Sequence, residues 1–223
     1  MNKKKIAIIG GGPMGLSAAF ELAKVGLQPE LIEADDRLGG MAACFDFENQ
    51  RIERYYHFHC LNDKGFLKIL DEIGLKEQLK WKKTKMGFFY NGKLYRWGSL
   101  LSVLIFPKIS LLTRIRYLFH AARCLTIQNW HHLDNLKAID WIKDWLGETG
   151  YKMLWKQLFA YKFYRFASEV SAAWIWSRIN RLGKSRDKLR EKLGFLQNGS
   201  IQLIDAMSRF IESNGGLIKL SSP

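Results

Sequence analysis

Apolar and polar positions along this chain change period at short, well-marked breaks. Ile6 to Ile9 ("IAII") is a β-branched run suited to a buried parallel strand. Met14 to Val25 carries apolar residues at helical spacing, and Gly26 is a C-terminal stop. "LQPELIEA" then reads as a second strand ending in Glu33. Residues 65–75 ("GFLKILDEIGL") predict a short helix closed at Gly74. Residues 86–97 ("MGFFYNGKLYRW") alternate on both sides of Asn91-Gly92, a two-residue hairpin signal. Helices are predicted at about 110–125, 137–146, 150–164 and 169–182. "GKSRDKLREK" (183–192) reads as a charged, exposed connection or fraying helix. "GSIQLIDAMSRFIESNGG" is an amphipathic helix with Ser200 near its start and Gly215-Gly216 as its stop, and "LIKL" begins a strand.

The junction between the first strand and the first helix admits two readings. After Met1-Asn2-Lys3-Lys4-Lys5, the stretch "IAIIGGGPMGLSAAF" has the flanks of a secretory leader. Gly10, Gly11, Gly12 and Pro13 sit in the middle of it, where they penalise a continuous apolar helix most. The same residues suit a strand-to-helix turn. Gly10, Gly12 and Gly15 form G-x-G-x-x-G: the first allows a tight turn, the second lets a pyrophosphate approach the backbone, and the third lets helix and strand pack closely. The helix N-terminus offers unpaired N–H groups and a positive dipole to phosphate. Glu33 lies about 20 residues beyond the glycines, where such units place the acid that binds a ribose hydroxyl. The dinucleotide-binding reading is therefore adopted over the leader.

At 223 residues and 48% hydrophobic content the chain has room for one large domain or two modest ones. Cys44, Cys60 and Cys124 are odd in number and form no C-x-x-C, which fits a reducing cytoplasm better than a disulfide framework. The longest apolar run, "LLSVLIF" at 100–106, stops at Pro107-Lys108, short of a membrane span. The net charge of +14 is unevenly placed: −1 over residues 1–64, +15 over 65–194 and 0 over 195–223. All eight tryptophans fall between Trp81 and Trp176. Residues 65–194 thus read as a basic, Trp-rich, mainly helical insertion, with residues 1–64 and 195–223 forming the nucleotide-binding domain around it.

Just past Glu33 stands "EADDRLGGMAACFDF". Its Arg37-Leu38-Gly39-Gly40 resembles the R-x-G-G motif of the FAD-dependent amine oxidase, protoporphyrinogen oxidase and phytoene desaturase superfamily. Met41 and Cys44 stand where that pattern has an arginine and a hydroxyl residue. "IERYYHFHC" occupies the place of a segment that runs along the isoalloxazine ring, and "GFLQNGSIQLIDAMSRFIESNGGLIKL" resembles the return to the FAD domain. The resemblance implies an α/β fold, a Rossmann-like FAD-binding domain with a parallel sheet and a helical insertion. It places FAD against Gly10, Gly11, Gly12, Pro13, Met14, Gly15, Glu33, Ala34, Arg37, Gly39, Gly40 and Met41, and the flavin beside Tyr56, His57 and Phe58. UDP-galactopyranose mutases share the architecture and are a neighbouring option. In these families the chain continues into a substrate-domain sheet and a C-terminal G-D segment. The 223 residues therefore look like the N-terminal half, with an open sheet edge and an uncovered apolar face expected.

The remaining chemistry is sparse. His57-x-His59-Cys60 lacks the second ligand pair that a zinc site needs, so no metal is expected. No residue is assigned a catalytic role, although His57 is a candidate base or donor beside the flavin. The positive block suits solvated helix faces, a phosphate-bearing substrate, or peripheral contact with the inner face of a membrane through "LLSVLIFPKISLLTRIRYLF". No nucleic-acid module is recognisable. The expected activity is FAD-dependent hydride removal from an apolar or anionic, lipid-like small molecule. A flavin-dependent mutase and a non-catalytic nucleotide- or membrane-binding fragment are the alternatives.

Overall fold

The computed structural model describes residues 5–187 and 190–223. Residues 1–4 of the basic start, and residues 188–189 of the charged connection, lie outside the described residues. The first half of the chain contains β1 (Lys5–Ile9), α1 (Pro13–Lys24), β2 (Gln28–Ile32), β3 (Cys44–Phe47), β4 (Gln50–Glu53), β5 (His59–Cys60), α2 (Lys64–Glu72), β6 (Leu79–Lys83), β7 (Met86–Tyr90) and β8 (Lys93–Trp97). It continues through α3 (Leu100–Leu104), α4 (Leu111–Thr126), α5 (His131–Asp134), α6 (Ala138–Leu154), α7 (Lys156–Phe163), α8 (Ala172–Lys184), β9 (Arg186–Asp187), β10 (Arg190–Leu196), α9 (Ile201–Ser213) and β11 (Leu217–Lys219). These elements fall into two units, one of residues 1–59, 63–81 and 194–223, the other of residues 60–62 and 82–193.

The first unit is built on a parallel sheet of order β1-β2-β11, with Ile8 opposite Leu31 and Leu31 opposite Ile218. Helices α1 and α9 cover one face. Leu16, Ala19 and Phe20 from α1 meet Ile204, Met207 and Ile211 from α9 around the buried Leu31. Each large side chain removed from water there contributes about 1.5–3 kcal/mol. The opposite face of β1 presents Lys5, Ala7 and Ile9 to solvent, and Ile9 is 81% exposed. Among the described residues β1 pairs only with β2, which leaves the expected open edge. The uncovered face is not the apolar one expected, since it sets a Glu30–Lys219 ion pair beside the exposed Ile9 and Leu217.

The sequence boundary at residues 64/65 differs from the packing. Helix α2 buries Leu70 against Leu79 and Leu196, and Lys24 of α1 bonds Glu72 at 2.7 Å. Its amphipathic face thus belongs with the first unit.

In the second unit, Asn91 (φ 46°) and Gly92 (φ 72°) turn β7 antiparallel onto β8 as the alternation predicts. Helices α6, α7 and α8 enclose Ala138, Ile142, Leu146, Tyr151, Phe159 and Ile175. Gly147, at φ 71° and ψ 169°, breaks α6 internally where the sequence analysis separates two helices.

The charged stretch 183–192 corrects the expectation. Helix α8 ends at Lys184, β9 and β10 pair antiparallel, and β10 lies in a sheet of order β5-β10-β6. Ser185 and Glu191 are buried, and the Thr84 hydroxyl donates to Glu191 Oε1 at 2.6 Å. Long-range pairing overrides local charge here.

Candidate dinucleotide site

The carboxyl ends of β1, β2 and β11 lie side by side in the first unit, the position where open parallel sheets bind nucleotides. Gly10 leaves β1 at φ 97°, which favours glycine, and its N–H donates to the Ile32 carbonyl at 2.7 Å. Gly12 caps α1 in extended conformation, and Pro13 fills the first helical position, where a missing N–H costs nothing. No acid occupies the first turn to neutralise the helix dipole. A Cβ on Gly15 would overlap the Gly10 carbonyl oxygen, so glycine alone lets α1 start this close to the strand.

The second glycine pair packs on the first. Gly39 (φ 111°) donates its N–H to the Gly11 carbonyl at 2.8 Å, and a Cβ on Gly39 would come within 3.0 Å of the Ala43 backbone. A Cβ on Gly40 would stand 3.2 Å from Gly12 Cα. Residues 40–42 then form one 3-10 turn. Two glycine segments thus make a wall of bare backbone with helix N–H groups at one end. Its chemistry suits a pyrophosphate.

Glu33 anchors the wall. Its carboxylate accepts from the Gly11 N–H at 2.5 Å and from the Asp35 N–H at 2.8 Å. Its backbone is held as well, since the Glu33 N–H donates to Lys219 and the Glu33 carbonyl accepts from Ser222. Each carboxylate oxygen keeps a lone pair for a ribose hydroxyl. Asp35 is held below the usual carboxylate range by its hydrogen bond from Arg54, 2.8 Å away.

The other candidate residues are placed differently. Arg37 donates to Asp36, to Asp46 and to the Cys44 carbonyl, and these acids, Asp36 first, raise its pKa. Its guanidinium therefore clamps the 36–46 loop rather than standing free at the wall. Arg37 also lines a cavity of about 340 Å³ with Asp36, Asp46, Arg51 and Asp205; none of the Gly10–Gly15 turn lines it. Met14, Met41 and Tyr56 are exposed side chains, and Ala34 is exposed beside Glu33. His57 Nδ1 is buried with no hydrogen-bond partner among the described residues. His59 stacks on Phe66 at 3.6 Å, and Cys44 is buried, which raises its thiol pKa.

Two features escape sequence reasoning. Glu53 Oε1 accepts the Ser200 N–H at 2.6 Å, placing a carboxylate on the N-terminus of α9. An acid 147 residues before the helix that it caps leaves no local signal. In the second unit, a groove of about 1,090 Å³ is walled by Phe88, Phe89, Leu154, Leu158 and Tyr161, with Lys152 and Lys162 among its polar groups. No tryptophan lines it; Trp141, Trp145, Trp155 and Trp174 pack around the helical core instead.

Comparison with known proteins adds an independent line. Residues 15–223 match the family described as flavin containing amine oxidoreductase. The 15-cis-phytoene desaturase of Arabidopsis thaliana is 36% identical over 85 residues, covering 38% of this chain and 15% of that protein. Wild-type putrescine oxidase bound to putrescine superposes with a TM-score of 0.68 at 19% identity, covering 99% of this chain and 51% of that one. Reduced UDP-galactopyranose mutase gives 0.63 at 18%, covering 96% and 48%. At these identities the structural likenesses show the fold. The chain spans about half the length of the two solved proteins and a smaller share of the desaturase.

Proposed function

Because this chain belongs to the flavin containing amine oxidoreductase family, we propose that its first unit binds FAD and serves oxidation of an apolar substrate with an anionic end. The observation that carries the reading is Glu33, whose carboxylate holds the Gly11 N–H beside a wall of two mutually packed glycine segments. In this reading the α1 N-terminus and Gly39-Gly40 receive the pyrophosphate, and Glu33 accepts from the adenosine ribose. Tyr56, His57 and Phe58 are the side chains assigned beside the flavin, while Met14 and Met41 belong to the two glycine segments that face the rest of the dinucleotide. The bound flavin would accept a hydride from a C–H or C–N bond of the substrate. The protein's contribution is to hold and orient the dinucleotide without side-chain bulk. The substrate class rests on the aromatic walls of the second unit's groove and on Lys152 and Lys162 within it.

A competition titration tests this. FAD should bind with ADP-ribose as a competitor, while FMN, lacking the adenosine half, should bind at least roughly tenfold more weakly, about 1.4 kcal/mol. Equal affinity for FMN and FAD would remove the dinucleotide from the glycine wall.

A further inference from the structure

The tip formed by α3 and the start of α4 is built inside out. Val103, Phe106 and Ile109 turn inward and are buried. Leu101, Ile105, Leu111, Leu112 and Phe119 face solvent at 60–68% exposure. On α4, Leu112, Ile115 and Phe119 follow i, i+3, i+7 spacing, so they share the exposed side. His120 and Cys124 take the buried side.

The tip is also fixed in shape. Ser99 and Ser102 form a reciprocal cap on α3, and the Ser110 hydroxyl accepts the Thr113 N–H at the start of α4. The Arg114 guanidinium donates to the Leu104 carbonyl at 2.6 Å and to the Ile109 carbonyl at 3.0 Å, joining the two helices. An ordered, exposed apolar face of this kind marks a surface that meets something.

The surrounding charge decides what it meets. Residues 82–133 contain nine Lys or Arg and no Asp or Glu. Among the described residues, the one acid lining the shallow cavity beside Phe119 is Asp144 of α6, whose carbonyl accepts from Arg116. Lys108, Arg116 and Arg123 flank the apolar side chains within this stretch. A second copy would set one such positive field against another, which is repulsive. An anionic lipid surface supplies both an apolar layer and opposite charge. No helix among the described residues is long and apolar enough to cross a membrane, so the tip's chemistry is that of a surface contact.

We propose that the α3–α4 tip docks on an anionic membrane surface, sinking Leu101, Leu112 and Phe119 below the headgroups with Lys108, Arg116 and Arg123 at headgroup level.

Co-sedimentation of the 223-residue chain with vesicles tests the proposal without reference to flavin. Binding to phosphatidylcholine containing roughly 30% phosphatidylglycerol should exceed binding to phosphatidylcholine alone by at least about tenfold, and should fall as salt rises. The double variant Leu112→Asn, Phe119→Asn should weaken partition by roughly tenfold or more, because both side chains leave the apolar layer. Lys108→Gln with Arg123→Gln should weaken it by a similar factor on anionic vesicles and leave neutral ones unchanged. All four side chains are exposed, so circular dichroism and the melting temperature should hold. No binding to anionic vesicles, equal binding to both vesicle types, or full binding by the Leu112→Asn, Phe119→Asn variant would overturn the proposal. Concentration-dependent self-association abolished by that variant, with vesicle binding intact, would do so too and would assign the face to a second copy.

Discussion

Replacing Glu33 by alanine separates two jobs that one carboxylate performs. In the folded chain it accepts from the Gly11 and Asp35 N–H groups. Gly11 is buried, so its N–H loses its only described acceptor, and a buried unsatisfied donor costs about 1–3 kcal/mol. Asp35 is only half-buried and can turn to water. The stability loss should therefore be near that single penalty of about 1–3 kcal/mol. FAD binding should lose more, because a charge-assisted bond to the ribose is roughly twice as strong as a neutral one. At about 1.5–3 kcal/mol for such a bond, affinity should fall roughly ten- to a hundredfold.

Glu33→Gln refines the test. It keeps the side-chain length and one acceptor oxygen, but its NH2 group would face one of the two N–H donors. Its stability should fall between that of the wild type and Glu33→Ala, while FAD affinity should fall nearly as far as in the alanine variant. Flavin fluorescence quenching gives the affinity and urea denaturation the stability, both at one pH. FMN binding must not change in either variant. Loss of stability with unchanged FAD affinity would mean that Glu33 is a structural brace alone, and the ribose assignment would fall.

Three further outcomes are expected. Gly15→Ala should cost at least the roughly 1–3 kcal/mol of forced overpacking and abolish FAD quenching, since its Cβ meets a backbone carbonyl that cannot step aside; a variant with wild-type melting and binding would refute the packing. Glu53→Ala should cost about 0.5–2 kcal/mol by uncapping α9, read as a lower urea midpoint with an unchanged m-value. His120 is fully buried between Trp141 and Trp145 with both ring nitrogens unpartnered among the described residues, and burial lowers its pKa to about 4. The unfolded chain then binds the extra proton first, so stability present above about pH 6.5 is lost on acidification toward pH 4, by roughly 3 kcal/mol in all; His120→Phe should flatten that slope, and an unchanged slope would assign acid sensitivity elsewhere.

The parts of the fold legible in the sequence are those that local chemistry dictates. The strand, turn and helix over residues 5–24 are forced by a β-branched run, glycines at fixed intervals and a helical stripe. Asn91-Gly92 specifies its hairpin unaided. The β3–β4 hairpin has no such signal, because its turn puts Glu48, not glycine, at φ 51°. Strand β10 was hidden for another reason. "REKLGFL" begins with three charged residues and becomes a strand through partners more than 100 positions earlier. Charge gave the local impression of a solvated connection, and pairing with β5 and β6 decided otherwise.

The same distinction explains why a backbone-made cradle leaves a signature in a sequence while a side-chain-made groove does not. Where two backbone segments touch, as Gly39 touches Gly11 and Gly40 touches Gly12, any Cβ is an obstruction, so the residue type is dictated by geometry and leaves a fixed spacing in the sequence. The groove of the second unit obeys no such rule. Its walls need only apolar bulk, which Phe, Leu, Met or Tyr supplies equally well, and its lysines need only reach. Many sequences satisfy that requirement, so few positions in it are distinctive. A backbone-made cradle is written in the order of the glycines, whereas a side-chain-made groove emerges only once α6, α7 and the β7–β8 hairpin are folded against each other.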